Sequence, residues 1–377
     1  MNIGVIRESN PLDRRVALTP PVVRHLAERG HTVWVESGAG AGAKFRDDEY
    51  ISAGASVAYS SAEVIQRCEL TVKVSSPTLQ ELDLVSPNSA LMAFYHLAVV
   101  GRAPFEKLIE RAITAIGCEI IETEDGRLPV LAAISEIAGQ MVIPVAAHLL
   151  RSSSGGRGIL VGGSPGTPPA HIVILGAGSV GRSAARTAAA AGARVTVLDT
   201  DPEKLHLLIE HGLRVETSLA ESESVASAVA SADVVVGAVL VAGRKSPHVV
   251  TKQMVENMRP GSAVIDLAID QGGCVETSRP TTLDAPTFVH QGVLHYCVPN
   301  MTADMGRSTS VALAQAALPY LLELAGEGIE GALFRRPDLA RGVYTHRGVC
   351  VHAGLAKSWQ VPCHSLAELF AAGRRGR

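Results

Sequence analysis

Three glycines, Gly176, Gly178 and Gly181, stand at G-x-G-x-x-G spacing within residues 171–201, HIVILGAGSVGRSAARTAAAAGARVTVLDTD, and an acid, Asp199, follows Gly181 by 18 residues. Residues of these types in this order can hold a dinucleotide. The first glycine permits a sharp turn, the second a close approach of backbone to pyrophosphate, and the third close packing of helix on strand. The N-terminus of the helix that follows offers N–H groups and a partial positive charge to the phosphates. A carboxylate at Asp199 can accept hydrogen bonds from both ribose hydroxyls and repels a 2′-phosphate. Thr200 and Asp201 follow it, with no arginine, so NAD is favoured over NADP. The plainer alternative is a glycine-rich strand–helix turn that holds nothing.

Four other residues lie at or beyond the carboxyl ends of expected strands, where open α/β sheets take their ligands: Arg15, Lys73, His96 and Asp270. Arginine is a planar, permanently charged fork suited to a carboxylate. Imidazole exchanges protons near neutral pH. Each also has a bland reading: a solvated charge for Arg15, a core histidine for His96 between aromatic and aliphatic neighbours, a turn-former for Asp270 in IDQGG. Spacing alone yields a dehydrogenase-like scaffold and no substrate.

These residues need two sheets to carry them. A chain of 377 residues exceeds one ordinary core and suggests two domains. For the first 120 residues, strands at 2–6, 32–35, 70–74, 90–95 and 114–121 alternate with helices at 20–27, 47–53, 62–68 and 104–112. This is a parallel α/β layout without a glycine fingerprint. A long apolar helix over 134–149 bridges to the second domain. A Ser/Gly/Pro-rich stretch follows, whose 162–169 segment reads as a loop and a hinge. In the second domain the strand at 172–175 meets the Ala-rich helix at 183–191, stopped by Gly192, then a strand at 195–198. Strands near 213–216 and at 234–241 and 263–269, helices at 222–230 and 252–258, and a hairpin turning at Gln291-Gly292 complete it. A helix over 309–324, kinked at Pro319, leads into helix and loop.

Bulk properties narrow the partners. A net charge of −3 gives no global pull toward nucleic acid or anionic membrane, and the basic tail Arg374, Arg375, Arg377 reads as a frayed end. Cysteines 68, 118, 274, 297, 350 and 363 form no C-x-x-C pair, so neither a metal site nor a disulfide framework is expected. No consecutive apolar run reaches a spanning length, and MNIGVIRES reads as a strand rather than a signal peptide, so a cytoplasmic setting is expected.

From NIGVIRES and RRVALTP, through HLA, SEIAGQM, GGSPGTPP and GAGSVG, to GAVLVAGRKSP, AIDQGGCVETSRPTT and HYCVPNM, the chain resembles the alanine dehydrogenases, whose fold is shared by the N-terminal part of proton-translocating transhydrogenases. The likeness covers essentially the whole chain, and AIDQGGCVETSRPTT with HYCVPNM is its most specific part. It implies two Rossmann-like domains with parallel sheets and an inter-domain cleft: residues 1–132 plus 308–377 for substrate, residues 133–307 for NAD. The implied reaction is NAD-linked, reversible conversion of L-alanine and water to pyruvate and ammonia by a homo-oligomer, a hexamer or a dimer. The resemblance casts Arg15 as the anchor of the substrate carboxylate, His96 as general acid/base and Asp270 as the second catalytic residue. Lys73, Ser75 and Asn300 fall on the substrate side. Ser135, Ser179, Val180, Asp199, Lys204, Val239, Leu240, Leu267, Asp270 and Asn300 fall on the cofactor side.

One departure matters. Family members commonly read K-V-K-E-P where this chain reads Lys73-Val74-Ser75-Ser76-Pro77. A neutral serine supplies no charge to a developing oxyanion, a loss worth about 2.7–4 kcal/mol in comparable sites. Lys73, two residues back, shares a strand face with Ser75, with an ammonium starting about 6–7 Å away, and is the candidate to compensate. The run Thr302-Ala303-Asp304-Met305-Gly306-Arg307 also departs from the family's proline-containing loop. An alanine dehydrogenase is therefore the first reading. A same-scaffold oxidoreductase for another amino or imino acid is the second, and a non-catalytic dinucleotide-binding protein the third.

Overall fold

The computed structural model describes residues 1–241 and 244–375, which leaves Ala242 and Gly243 of the GAVLVAGRKSP run and the side chains of the basic tail Arg374, Arg375 and Arg377 outside the described residues. The chain forms two compact units, 1–134 with 242–244 and 303–377, and 135–241 with 245–302. The Gly/Pro-rich 162–169 segment, expected as a hinge, lies inside the second unit rather than at a crossing between units.

In the first unit, six parallel strands, β1 (Asn2–Val5), β2 (Thr32–Glu36), β3 (Ser56–Ala58), β4 (Leu70–Val72), β5 (Ala90–Ala93) and β6 (Thr114–Gly117), lie in the order 3-2-1-4-5-6. The second unit repeats this order with β7 (His171–Leu175), β8 (Arg194–Asp199), β9 (Glu216–Leu219), β10 (Val234–Gly237), β11 (Ala263–Asp266) and β13 (Val293–Tyr296). The hairpin strand β12 (Thr287–His290) is antiparallel at its edge. Each is the doubly wound order, with its switch point between the first and fourth strands of the unit. Strands β5, β7 and β10 are buried at every position, which is why they read as unbroken apolar runs.

Two further strands extend the first sheet, β14 (Val343–His346) antiparallel to β6 and β15 (Val349–Cys350) antiparallel to β14. They stand where helix and loop were expected. The turn between them is Arg347-Gly348, both at positive φ, as a tight hairpin turn requires. Strand β11 stops at Asp266, three residues short of expectation. The Asp266 side chain accepts from Ala268 N and so opens a 3-10 turn, Leu267–Gln271, that carries Asp270. The helix Gly306–Arg335 contains Pro319, but its non-helical residue is Gly328, at φ 74° and ψ 168°. A break in the helix therefore sits at this glycine.

The helix Pro129–Leu149 is 21 residues long, with a mean hydropathy of 1.7 over its most apolar window. By length and composition alone it could cross a membrane, contrary to the reading of consecutive residues, which Ser135, Glu136 and Gln140 interrupt. Within the second unit, Val142, Ala146 and Leu149 on one side of it belong to the core. Gly139 lets it approach the helix Ser179–Ala190: a Cβ there would meet Ser183 Cβ at 2.5 Å and Val180 O at 2.6 Å. The SEIAG run thus has a packing reason, and the buried Ser135 sits beside that contact.

Candidate active site

In the first unit, Arg15 is 2% exposed, and its side chain reaches back to Asp13 in a two-pronged pair, Nε to Oδ1 at 2.8 Å and a terminal nitrogen to Oδ2 at 2.6 Å. The same terminal nitrogen donates to Ser75 Oγ at 3.2 Å, and Ser75 Oγ donates to Asp13 Oδ2 at 2.6 Å. Burial raises the Asp13 carboxyl, but the hydrogen bonds and charge of Arg15, with the Ser75 hydroxyl, outweigh it and hold the group below the ordinary carboxylate value. Arg15 and Ser75 are thus brought together, with a carboxylate already seated on the guanidinium.

Lys73 does not take the part considered for it. Its ammonium is enclosed, donating to Ser9 Oγ at 2.8 Å and to both oxygens of Glu81 at 2.9 and 3.0 Å, with Glu8 Oε2 at 3.8 Å. Its side chain has no exposed surface. Alternation along the strand aims Lys73 correctly, but Glu81 captures it. Glu81 is fixed by a reciprocal cap: Thr78 Oγ1 accepts from Glu81 N while Glu81 Oε2 accepts from Thr78 N, at the start of a helix Leu79–Leu84.

Beneath this cluster lies Glu8, which accepts from Val74 N at 2.7 Å and Ser75 N at 3.1 Å. Burial pushes its carboxyl up to about 7, against the lowering effect of Lys73. Below the ordinary value of 4.5 both folded and unfolded chains hold this proton, so Glu8 costs the fold nothing there. As pH rises from 4.5 to 7 only the folded chain retains it, and stability falls, by about 3 kcal/mol once pH exceeds 7. Urea unfolding at about pH 5 and about pH 8 checks this: the loss between the two is expected to be smaller in Glu8→Gln than in the wild-type chain, and equal losses would remove Glu8 as the cause. Arg7, Glu8, Asp13, Arg15, Glu36 and Glu81 are among the residues lining a cavity of about 640 Å³ at the carboxyl ends of β1 and β2.

His96 follows β5, half-buried and in the left-handed region at φ 48° and ψ 40°, an arrangement that costs a non-glycine residue about 1–2 kcal/mol. Its ring stacks on Phe94 at 6.1 Å between centroids. It is neither an enclosed core histidine nor a freely solvated one.

In the second unit, Gly176 follows β7 at φ 102°, and a Cβ on it would lie 2.5 Å from Ala238 O and 3.3 Å from Val239 N. A Cβ on Gly181 would sit 1.8 Å from Gly176 O. Gly178 differs: a Cβ there meets nothing within 4 Å, so no protein contact requires its glycine. The open space stands at the start of the helix Ser179–Ala190, whose N-cap Gly178 provides no side-chain acceptor for the first N–H groups. Such a cradle fits a pyrophosphate. Asp199 ends β8, accepting from Ala177 N at 2.6 Å and Asp201 N at 2.9 Å, and so joins the acid to the glycine turn. Val239 is half-buried and its carbonyl accepts from Ser246 Oγ at 2.9 Å, while Leu240 is 47% exposed. Lys204 stands exposed on the helix Pro202–Glu210, 3.8 Å from Asp201.

Leu267 and Asp270 ride on the 3-10 turn, and Asp270 Oδ1 accepts from Asn300 N at 2.8 Å, with Asn300 itself at φ 53°. Asp266 folds this loop, its Oδ2 accepting from Cys274 N at 3.0 Å and Val275 N at 3.2 Å, and burial raises its pKa. Asp13, Glu8, Glu81 and Asp266 were not singled out from the sequence. For Glu81 a signal existed, the Thr-x-x-Glu spacing of Thr78 and Glu81; for the others only an acid near a strand end.

Comparison with known proteins agrees with this architecture. The family model described as "Alanine dehydrogenase/PNT, N-terminal domain" matches residues 4–138, and "Alanine dehydrogenase/PNT, C-terminal domain" matches 142–353. The chain is 41% identical over 372 residues to an alanine dehydrogenase of Mycobacterium tuberculosis, covering 98% of this chain and 100% of that one. It is 40% identical over 364 residues to one of Methanococcus maripaludis, covering 96% and 97%. A solved L-alanine dehydrogenase superposes with a TM-score of 0.88 at 41% identity over 96% of this chain and 99% of that one. A transhydrogenase from Sinorhizobium meliloti gives 0.77 at 25% over 94% and 100%. Two family models spanning nearly the whole chain and full-length relatives at about two-fifths identity leave one conclusion: the chain belongs to the alanine dehydrogenase/PNT family.

Proposed function

We propose that the protein is an NAD-dependent amino-acid dehydrogenase that converts L-alanine and water to pyruvate and ammonia. The observation that carries this reading is the buried Arg15 fork beside Ser75, next to the carboxyl ends of β1 and β4, the switch point where a doubly wound sheet takes its ligand. Arg15 receives the substrate carboxylate in competition with Asp13, which already holds two of its N–H groups. His96 takes a proton from the water that adds to the iminium carbon and returns it to the departing amine. Asp270, oriented by the Asn300 N–H, faces the cationic stage of the reaction with its negative charge.

Gly176, Gly178, Gly181 and the start of the helix Ser179–Ala190 would hold the pyrophosphate of NAD, and Asp199 its ribose. Bound nicotinamide supplies the acceptor for the hydrogen and electron pair leaving the α-carbon. Asp199→Ala should lower the preference for NAD⁺ over NADP⁺ in kcat/KM by about 10- to 100-fold, the worth of hydrogen bonds to a charged group. Steady-state rates with both cofactors check it, and an unchanged ratio would remove the role given to Asp199.

The enclosure of Lys73 favours a second reading, the same chemistry on a different amino or imino acid, because its ammonium is held by Glu81 and does not replace the charge absent at Ser75. Ser75→Lys separates the two. If alanine is the substrate and the missing charge limits the rate, kcat/KM with alanine rises by as much as about 10²–10³-fold. An unchanged or lower value, with faster turnover of a bulkier amino acid by the wild-type chain, would favour the second.

A further inference from the structure

Glu119 is a buried carboxylate that the proposed chemistry does not use. It is 1% exposed, on the 3-10 turn Cys118–Ile120 that follows β6, beside the end of β5. One oxygen, Oε1, accepts from His96 N at 2.7 Å, Tyr95 N at 3.1 Å and the Tyr344 hydroxyl at 2.9 Å. Tyr344 comes from β14, is 1% exposed, and meets Tyr95 edge-on with ring centroids 6.0 Å apart. A single carboxylate therefore ties together residues 95–96, the turn after β6 and the C-terminal hairpin.

The N–H groups of Tyr95 and His96 lie just past the last ladder position of β5, at Ala93. Buried N–H groups need an acceptor. Here one Glu119 oxygen supplies it for both. The His96 N–H bond is the shortest of the three, and it falls on the residue whose backbone is left-handed. In that region the direction of Cβ, and hence of the ring, depends on holding φ and ψ there. We infer that Glu119 is a positioning residue that pins the His96 backbone, with the Tyr344 hydroxyl holding Glu119 in turn, so that the C-terminal hairpin helps to set the direction of the imidazole.

This inference rests on His96 being the proton carrier, and the test separates the two. Glu119→Gln keeps an acceptor oxygen, so kcat is expected to stay within about threefold of wild type. Glu119→Asp keeps the carboxyl group and draws it back by one methylene. It should lower kcat by about 10- to 100-fold, with KM for alanine and Kd for NADH unchanged. Crystal structures of both variants give a reading independent of turnover: φ of His96 stays positive in Glu119→Gln and leaves the left-handed region in Glu119→Asp. Full activity with positive φ in Glu119→Asp, or collapse of kcat in Glu119→Gln, would overturn the inference. An active His96→Ala enzyme would instead overturn the proton-carrier reading, whatever the Glu119 variants do.

Discussion

Replacing His96 with alanine is expected to lower kcat with L-alanine by about 10²–10⁴-fold while NADH affinity stays within a factor of two or so of wild type. The imidazole is the group given the proton transfers, and it lies in the first unit, whereas the glycine cradle and Asp199 lie in the second. Alanine is a poor occupant of left-handed backbone, so part of any loss could come from relaxation of the loop after β5. His96→Asn controls for this, because asparagine tolerates that conformation. Both variants should be equally inactive. Recovery of turnover in His96→Asn would assign the loss to the backbone, and loss of NADH binding in either would make His96 structural.

Gly181→Ala is the second large effect, acting on the other half of the chemistry. Its Cβ would stand 1.8 Å from Gly176 O, so the helix Ser179–Ala190 must move off β7 or the glycine turn must open. Overpacking of this kind costs about 1–3 kcal/mol, sometimes more, and it falls on the turn meant to cradle the pyrophosphate. NADH affinity should drop at least about tenfold, with a lower melting temperature. Gly178→Ala is the informative contrast, since its Cβ meets no protein atom within 4 Å. It should leave melting nearly unchanged while weakening NADH, because only the bound dinucleotide would feel the methyl group. Titration of NADH by fluorescence, with thermal unfolding alongside, reads both. A Gly178→Ala chain that binds NADH normally would contradict the cradle.

The glycine spacing, the apolar strand runs and their alternation with helices were legible because each is a local pattern with a local cause. The interleaving of the C-terminal hairpin was not. Val343-Tyr344-Thr345-His346 alternates weakly and is too short to declare itself beside so many helical patterns. Its place in the sheet is set by pairing with β6, more than 200 residues earlier. The same holds for Lys73. Period-two alternation puts it on the face of Ser75, but its fate is decided by Glu81 and Ser9, which only the fold brings to it. Strand β11 was overestimated because Leu267, Ala268 and Ile269 continue the apolar run, whereas the Asp266 side chain ends the ladder by capping the 3-10 turn Leu267–Gln271. The break at Gly328 in the helix Gly306–Arg335 makes a related point: it falls where a glycine permits positive φ, inside a run whose residues otherwise read as helix.

Oxidation of L-alanine with NAD⁺ is the activity proposed for this chain. The purified wild-type protein, given NAD⁺ and each of a panel of L-amino acids, reports directly through the near-ultraviolet absorbance of NADH. The expected result is NADH formation with L-alanine in preference to the others, and the reverse reaction with pyruvate, ammonia and NADH. Tight binding of NADH with no turnover of any amino acid, or turnover that excludes alanine, would contradict it.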